Sequence, residues 1–465
     1  MRKNQMVALA LLFCSCFNTS SQIQTATITL DANKTYQTIT GWEATAEAGR
    51  EFASSFPFYA AHLLDLAAYD LGINRLRVGI HSGTENSRNY WADLKAGKIT
   101  EKEWRSVRYS TVNDNDNPLE MNVQGFHFSR FDSAMEKIVL PLKKRVEAKN
   151  ERFFLNVNYV AFTRQIGSGL HYIHDRPEEY AEFVLATYLH MQRKYNCTPD
   201  GWEILLEPDN VPEWNGRLLG QAVAAASERL KSKGFTPRFI GPSTSSMRAA
   251  ITYFDAMMSV PGTAPNLIEF SYHRYKHVSA NNLHSIAAKA KQFGLDTAML
   301  EHIGSGYKDL HQDLKQGQNS AWQQYTLAFP GTSVNDRGGR YYTIDESDPA
   351  NPQVQIASRT KFLRQYFKYI RPGAKRIEAS TNDNGFDPIA FINSDGGYVV
   401  VVKAEKGGSF SVLGLPAGDY GIQYTTADQY DVHLKDANVV SQNTVHANIP
   451  AAGVITIFRR RPDTD

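Results

Sequence analysis

Cysteine is nearly absent: the chain of 465 residues has three, and two of them, Cys14 and Cys16, fall in an apolar stretch at the N-terminus. Once that stretch is removed only Cys197 remains, so no internal disulfide can brace the mature protein, and its core must hold it together. An excess of either charge is missing as well. With 50 Lys+Arg against 48 Asp+Glu, no basic field exists to hold nucleic acid or an anionic membrane surface. A neutral ligand such as a sugar is compatible with that balance. The one strongly apolar run, residues 6–17, is too short to span a bilayer. There is no internal repeat and no low-complexity tract, which removes solenoids and disordered tails from consideration.

What is present is an ordinary globular composition, 42% hydrophobic and 11% aromatic, enough for one large domain and a smaller one. Arg2 and Lys3, the apolar run and the small polar residues 18–21 read together as a signal peptide over residues 1–21. A secreted or periplasmic protein is the expectation. Ser15-Cys16 has a faint likeness to a lipoprotein cleavage site, with Phe13 a poor residue three places upstream of a lipidated cysteine. Cys197, alone in the mature chain, reads as structural rather than nucleophilic.

Short β-rich runs alternate with amphipathic helical ones. Strands are expected at residues 39–44, 74–80, 153–160, 202–206, 238–241, 267–272, 297–300 and 340–344, and helices at 58–71, 131–146, 177–194, 217–233, 247–258, 280–293 and 320–329. That alternation predicts an α/β fold, a (β/α)8 TIM barrel over residues 38–372. After a last helix at 359–370 the pattern changes at Pro372-Gly373 to alternating runs with Gly, Asp and Asn between them, predicting a C-terminal antiparallel β-sandwich domain over 373–465. Residues 22–37 alternate too and are expected to join that sheet.

In such a barrel the reacting groups gather where strands end at their C-termini. The expected ends carry Trp42 and Glu43, Arg77, Asn158 and Tyr159, Glu207, His273 and Tyr275, and Glu301. Glu207 and Glu301 each follow a short apolar run, and a pair of carboxylates facing one another is what double-displacement sugar chemistry requires.

The segments GWEATAEAG, RLRVGI, LLEPDN, FSYHRY and MLEH, followed by KFLRQYFKYIRPGAKRIEA, resemble the clan-A retaining glycoside hydrolases, most closely glycoside hydrolase family 30, the glucocerebrosidase-like enzymes. The resemblance covers almost the whole mature chain, in order. It implies Glu207 as acid/base and Glu301 as nucleophile, Arg77 and Tyr275 as groups holding the nucleophile, and His273 as the partner of Tyr275 in a His-x-Tyr pair. Two positions depart from the family pattern. Leu206 stands where an Asn usually grips the sugar 2-hydroxyl, a contact for which Asn158 or Asn210 could substitute, and Trp42-Glu43 replaces Phe-Gly.

The implied activity is cleavage of β-linked glycosides, with an oligo- or polysaccharide or glycoside as the substrate and no cofactor. The acid/base role calls for a Glu207 whose pKa is raised in the free enzyme. A carbohydrate-binding protein that keeps the scaffold without turnover stays open as the other reading. His171, His174 and His302 raise the question of a metal, but His-x-x-His in a loop with no placed third ligand is weak support for one, and no metal is expected. Trp91, Trp104 and the run Asn113-Asp114-Asn115-Asp116-Asn117 belong to a long loop, residues 81–117, expected to wall one side of a cleft.

Overall fold

The computed structural model describes residues 26–335, 337–440 and 444–460. The expected signal peptide, residues 1–21, with Cys14 and Cys16, lies outside the described residues. After β1 (Ala26–Thr38) come the strands β2 (Gly41–Ala48), β3 (Arg75–His81), β4 (Phe154–Val160), β5 (Gly201–Glu203), β6 (Phe239–Ser246), β7 (Leu267–Lys276), β8 (Asp296–Glu301) and β9 (Asn319–Pro330). Strands β2 to β9 pair in parallel in that order, and β9 pairs with both β8 and β2, which closes the sheet into an eight-stranded barrel. Strand β4, FLNVNYV, is buried at every position, as a strand must be when helices cover one face and the barrel interior the other.

Helices fill the connections: Pro177–Tyr195, Gly216–Ser232, Met247–Met258, Ala280–Gln292 and Tyr307–Gln316 among them. Their starts follow local chemistry. Asn215 and Ser279 accept the backbone N–H of Leu218 (3.0 Å) and Asn282 (3.2 Å), and Pro177 occupies a first-turn position where its missing N–H costs nothing.

The barrel's last strand differs from expectation. Residues 320–329, expected as a helix, form β9, and the expected eighth strand is β10 (Arg340–Asp345), which pairs with β9 outside the closed barrel and then with β11 (Gln353–Ile356). Ala321, Trp322, Tyr325 and Ala328 recur at near-helical spacing, but both faces of the segment are buried. The polar residues that break a strand pattern find partners: Gln323 donates to Thr45 Oγ1 (2.9 Å) and Gln324 to the Ser305 carbonyl (2.7 Å).

The second sheet contains β12 (Lys375–Thr381), β13 (Phe386–Ile392), β14 (Tyr398–Ala404), β15 (Gly408–Leu413), β16 (Gly418–Thr426), β17 (Val432–His433), β18 (Ala437–Val439), β19 (Val445–Ile449) and β20 (Gly453–Arg459). It curls around its own apolar core, formed by Ile28, Ile377, Phe386, Phe410, Ile422 and Ile457 among others. Strand β1 completes it, antiparallel to β12 (Ile28↔Thr381) and parallel to β15 (Ile28↔Val412); that parallel pair is the exception in an otherwise antiparallel sandwich.

The helix Thr360–Phe367 joins barrel to sandwich. Trp42 stacks on Phe367 with ring centroids 4.4 Å apart and donates to the Ile370 carbonyl (2.8 Å). Arg371 grips Glu151 through two nitrogens and the carbonyls of Phe367 and Gly72. At Gly72, φ +93°, a Cβ would stand 2.1 Å from the Arg371 guanidinium, so glycine is required both for the turn and for the grip.

Candidate active site

Alternate residues of the barrel strands point inward, and several are charged. At the floor, Arg75 bonds Glu43 (2.8 Å) and, through two nitrogens, Glu269 (2.6 and 2.9 Å), beside the apolar plug of Phe154, Ile240, Ala298, Leu300 and Ala321. One layer higher, Arg77 donates to Glu301 Oε2 and to Thr45 Oγ1 (3.1 Å), and stands 3.8 Å from Glu203. Tyr275, on β7, donates to the other Glu301 oxygen at 2.9 Å. Burial and the Glu301 charge push the Tyr275 phenol well above its usual range, so it remains a donor. Both oxygens of Glu301 are therefore held, one by a guanidinium and the other by a phenol.

Glu207 comes from the other side of the mouth, four residues past the end of β5. Its backbone is left-handed, φ +50°, a conformation that costs a non-glycine residue on the order of 1–2 kcal/mol. The turn into Pro208 and the bond from its N–H to the Ser243 carbonyl (3.1 Å) keep it there. Strain of this kind concentrates at functional positions. Its carboxylate meets His273 Nδ1 at 3.0 Å and accepts from Asn210 Nδ2 at 2.7 Å. One oxygen each of Glu207 and Glu301 and a nitrogen of His273 lie within 4.8 Å of one another.

The electrostatics depart from the expected raised acid. Burial lifts the Glu207 carboxyl, but the hydrogen bond and charge of His273, with Asn210 and Arg77, outweigh it and hold the group below the usual carboxylate range. His273 moves the opposite way: burial opposes its charge, yet Glu207 and Glu301 raise it. Both shifts favour a proton on His273 over one on Glu207, one hydrogen bond away, and groups so close titrate as a pair.

Other candidates go elsewhere. Trp42 is buried at the barrel–sandwich joint, and Glu43 is a floor residue whose burial pushes its carboxyl up despite Arg75. Tyr159 points away from the barrel interior, bonded to His174 Nδ1 (2.7 Å) and Tyr172 (3.1 Å). Asn158 faces inward above Asn156 but is 2% exposed, with its Nδ2 lacking a partner, while Asn210 spends its amide nitrogen on Glu207. Of the two, Asn158 is the one whose amide donor has no partner.

Sequence reasoning placed the end of the first barrel strand too early. Strand β2 runs to Ala48, so its mouth carboxylate is Glu47, two inward positions beyond Glu43. Burial raises Glu47, which lies within electrostatic reach of Arg130, Arg77 and Glu301. Tyr325 of β9 senses both Glu47 and Glu301. The alternation Glu43, Thr45, Glu47 was the available signal. Beside the mouth, a cavity of about 900 Å³ is lined by Glu47, Phe52, Trp91, Trp104 and Arg130. A larger one, 1450 Å³, lies at the opposite end of the barrel against the sandwich and contains none of the mouth acids.

His171, His174 and His302 do not join any close cluster of metal-type donors among the described residues; the one such cluster is Glu207, His273 and Glu301. Their donor atoms are already bonded to Arg77, Tyr275, Asn210 and each other. A cation there would have to displace a buried guanidinium.

A closed parallel barrel with a β-sandwich attached is a fold this chain shares with solved glycoside hydrolase family 30 enzymes. Solved structures of similar fold include a family 30 endoxylanase from Clostridium papyrosolvens (16% identity, 94% of this chain and 100% of that one, TM-score 0.63). The endo-β1,6-glucanase BT3312 is similar at 16% identity over 94% of each chain, TM-score 0.63. A conserved exported protein from Bacteroides fragilis aligns at 13% identity over 93% of this chain and 100% of that one, TM-score 0.66. No protein-family model and no curated protein sequence matches the chain.

Proposed function

We propose that this chain is a secreted retaining glycoside hydrolase acting on β-linked glycosides, with Glu301 as nucleophile and Glu207 as acid/base. The observation that carries the reading is the approach of the two carboxylates to within 4.8 Å across the barrel mouth. An approach that near of one oxygen from each acid supports the spacing of retaining enzymes, about 5–5.5 Å between carboxyl groups, over the about 6.5–9.5 Å of inverting ones.

Each side chain has a task. A Glu301 oxygen, ionised beside Arg77 and Tyr275, attacks the anomeric carbon as the glycosidic C–O bond breaks. The leaving oxygen takes a proton from Glu207, which draws on His273 once bound sugar excludes water and favours the neutral carboxyl. Formation of the glycosyl ester consumes the Glu301 charge. Glu207, now a carboxylate, takes a proton from water as that water attacks the same carbon, and Glu301 is released. The signal-like N-terminus supports export, and the similar endoxylanase and endoglucanase support a polysaccharide substrate.

The test is hydrolysis of a panel of nitrophenyl β-glycosides and polysaccharides by wild type and Glu301→Gln, with product anomers followed by NMR. Retention of configuration is expected, with a loss of at least about a thousandfold in the variant. Inverted products, or equal turnover by both proteins, would sink the assignment. Sugar binding without turnover in wild type would favour a binding protein.

A further inference from the structure

Strand β3 sends two arginines into the barrel, and each faces a pair of acids. At the floor, Arg75 closes on both of its partners, Glu43 (2.8 Å) and Glu269 (2.6 and 2.9 Å). One layer higher, Arg77 closes on only one. Its Nη2 donates to Glu301, while its Nη1 has no hydrogen-bond partner and stops 3.8 Å short of Glu203 Oε1, an oxygen that has none either. The other Glu203 oxygen accepts from Asn156 Nδ2 at 3.0 Å. Water does not reach this gap: Arg77 is 3% exposed and Glu203 0%. A buried donor and a buried acceptor thus face each other at a distance too long for a hydrogen bond, a cost that the floor layer does not carry.

The gap matters because Glu301 does not keep its charge. In the reaction proposed above, on which this inference rests, the Glu301 oxygen that bonds the anomeric carbon becomes part of a neutral ester. Arg77 would then be a buried cation whose near partner has gone, and a buried pair broken from one side is strongly destabilising. Among the described residues, Glu203 is the one other carboxylate within 4.0 Å of that guanidinium. Burial works against the Arg77 charge, and the charges of Glu301 first and Glu203 next restore it.

We infer that Glu203 is a positioning residue for the nucleophile: as Glu301 is esterified, Arg77 Nη1 turns to Glu203, which supplies the countercharge until water releases the sugar. A shift of about 1 Å brings the two atoms to hydrogen-bond distance. Glu43 and Glu269 cannot take this part, because Arg75 already holds both.

The first test leaves Glu203 unchanged. Glu301→Gln has the shape of the free nucleophile and the charge of the ester, so crystal structures should show the gap open in wild type and closed to about 3.2 Å or less in the variant. A gap that stays open in Glu301→Gln would overturn the inference, and this result decides alone if Glu203→Gln fails to fold. The second test is a double-mutant cycle read as Tm. Glu203→Gln leaves Arg77 with Glu301, and Glu301→Gln leaves it with Glu203, but the double variant leaves it with neither. Its Tm should fall beyond the sum of the single shifts by at least about 2 °C; additive shifts would count against the shared arginine. The third test uses a dinitrophenyl glycoside that wild type turns over, since that leaving group needs no proton from Glu207. Glu203→Gln should lower kcat/KM at least about tenfold, and Glu203→Asp, which keeps the charge, should recover part of the loss. No loss, or the same loss in both, would sink the positioning role. A wild type that cleaves no glycoside removes the proposed function and this inference together, whereas retaining turnover with additive Tm shifts removes this inference only.

Discussion

The proton shared by His273 and Glu207 is the most consequential detail at the residue scale. His273 is raised above its ordinary value, near 6.5, by the carboxylates beside it, so the pair keeps its proton until pH passes that raised value. Replacing the ring removes the reservoir, and the proton is then lost at the pKa of Glu207 alone. For His273→Gln we expect the alkaline limb of kcat/KM on an aryl glycoside to move toward acid by about one unit or more, with the acidic limb less affected. An unmoved alkaline limb would show that Glu207 holds its own proton in the free enzyme. That Glu207, Glu301, Arg77, His273 and Tyr275 would gather at one barrel mouth was legible in the sequence, because they sit in short recognisable motifs at strand ends. Their ionisation was not, since it depends on which group faces which across strands that are 66 residues apart in the chain.

Among the elements, strand register decides what reaches the mouth. The pattern around Trp42-Glu43 placed a strand correctly but ended it at Ala44, and that short error exchanged a floor carboxylate for a mouth one. Strand β9 was hidden for a different reason: its glutamines look like the polar face of a helix until Thr45 and Ser305 are seen to receive them. Buried amides of that sort are expensive to disturb. Gln323→Ala should lower stability by about 1–3 kcal/mol, read as a fall in Tm, because Thr45 Oγ1 loses one of the donors that fix it under Arg77. A Tm within error of wild type would mean that the amide is held by nothing that matters. The apolar, both-faces-buried strands such as β4 were readable because their composition leaves no alternative; the mixed ones needed tertiary partners to make sense of them.

For the whole molecule, the seam between barrel and sandwich carries a pH dependence. Asp387 of β13 faces Lys315 and His311 of the barrel helix Tyr307–Gln316 and Lys403 of β14. Burial lifts Asp387, but the His311 hydrogen bond and the charges of His311 and Lys315 hold it far below the carboxylate range. His311 is itself kept low by burial, so the lasting positive partners are the two lysines. A depressed carboxylate stabilises the fold at pH values above its unfolded pKa, near 3.9, and that contribution is lost as pH falls toward its folded value. Asp387→Asn should therefore lower Tm at pH 7 and flatten the decline of Tm below about pH 4; parallel curves for the two proteins would remove this carboxylate from the acid response.

Strand β1, the first among the described residues, finds its neighbours some 350 to 385 residues later, Ile28 at Thr381 and Val412. During synthesis, then, an emerging N-terminus has no place to dock until nearly everything else has been made, and the exposed ladder of β1 stays available to strangers in the meantime. The same arrangement defeats dissection. A gene fragment starting at residue 38 would leave a gap between β12 and β15 and should yield aggregated protein, whereas a circular permutant carrying residues 26–38 after residue 460 restores the missing rung and should elute as a folded monomer-sized peak; equal solubility of the two would show that the sheet closes without it.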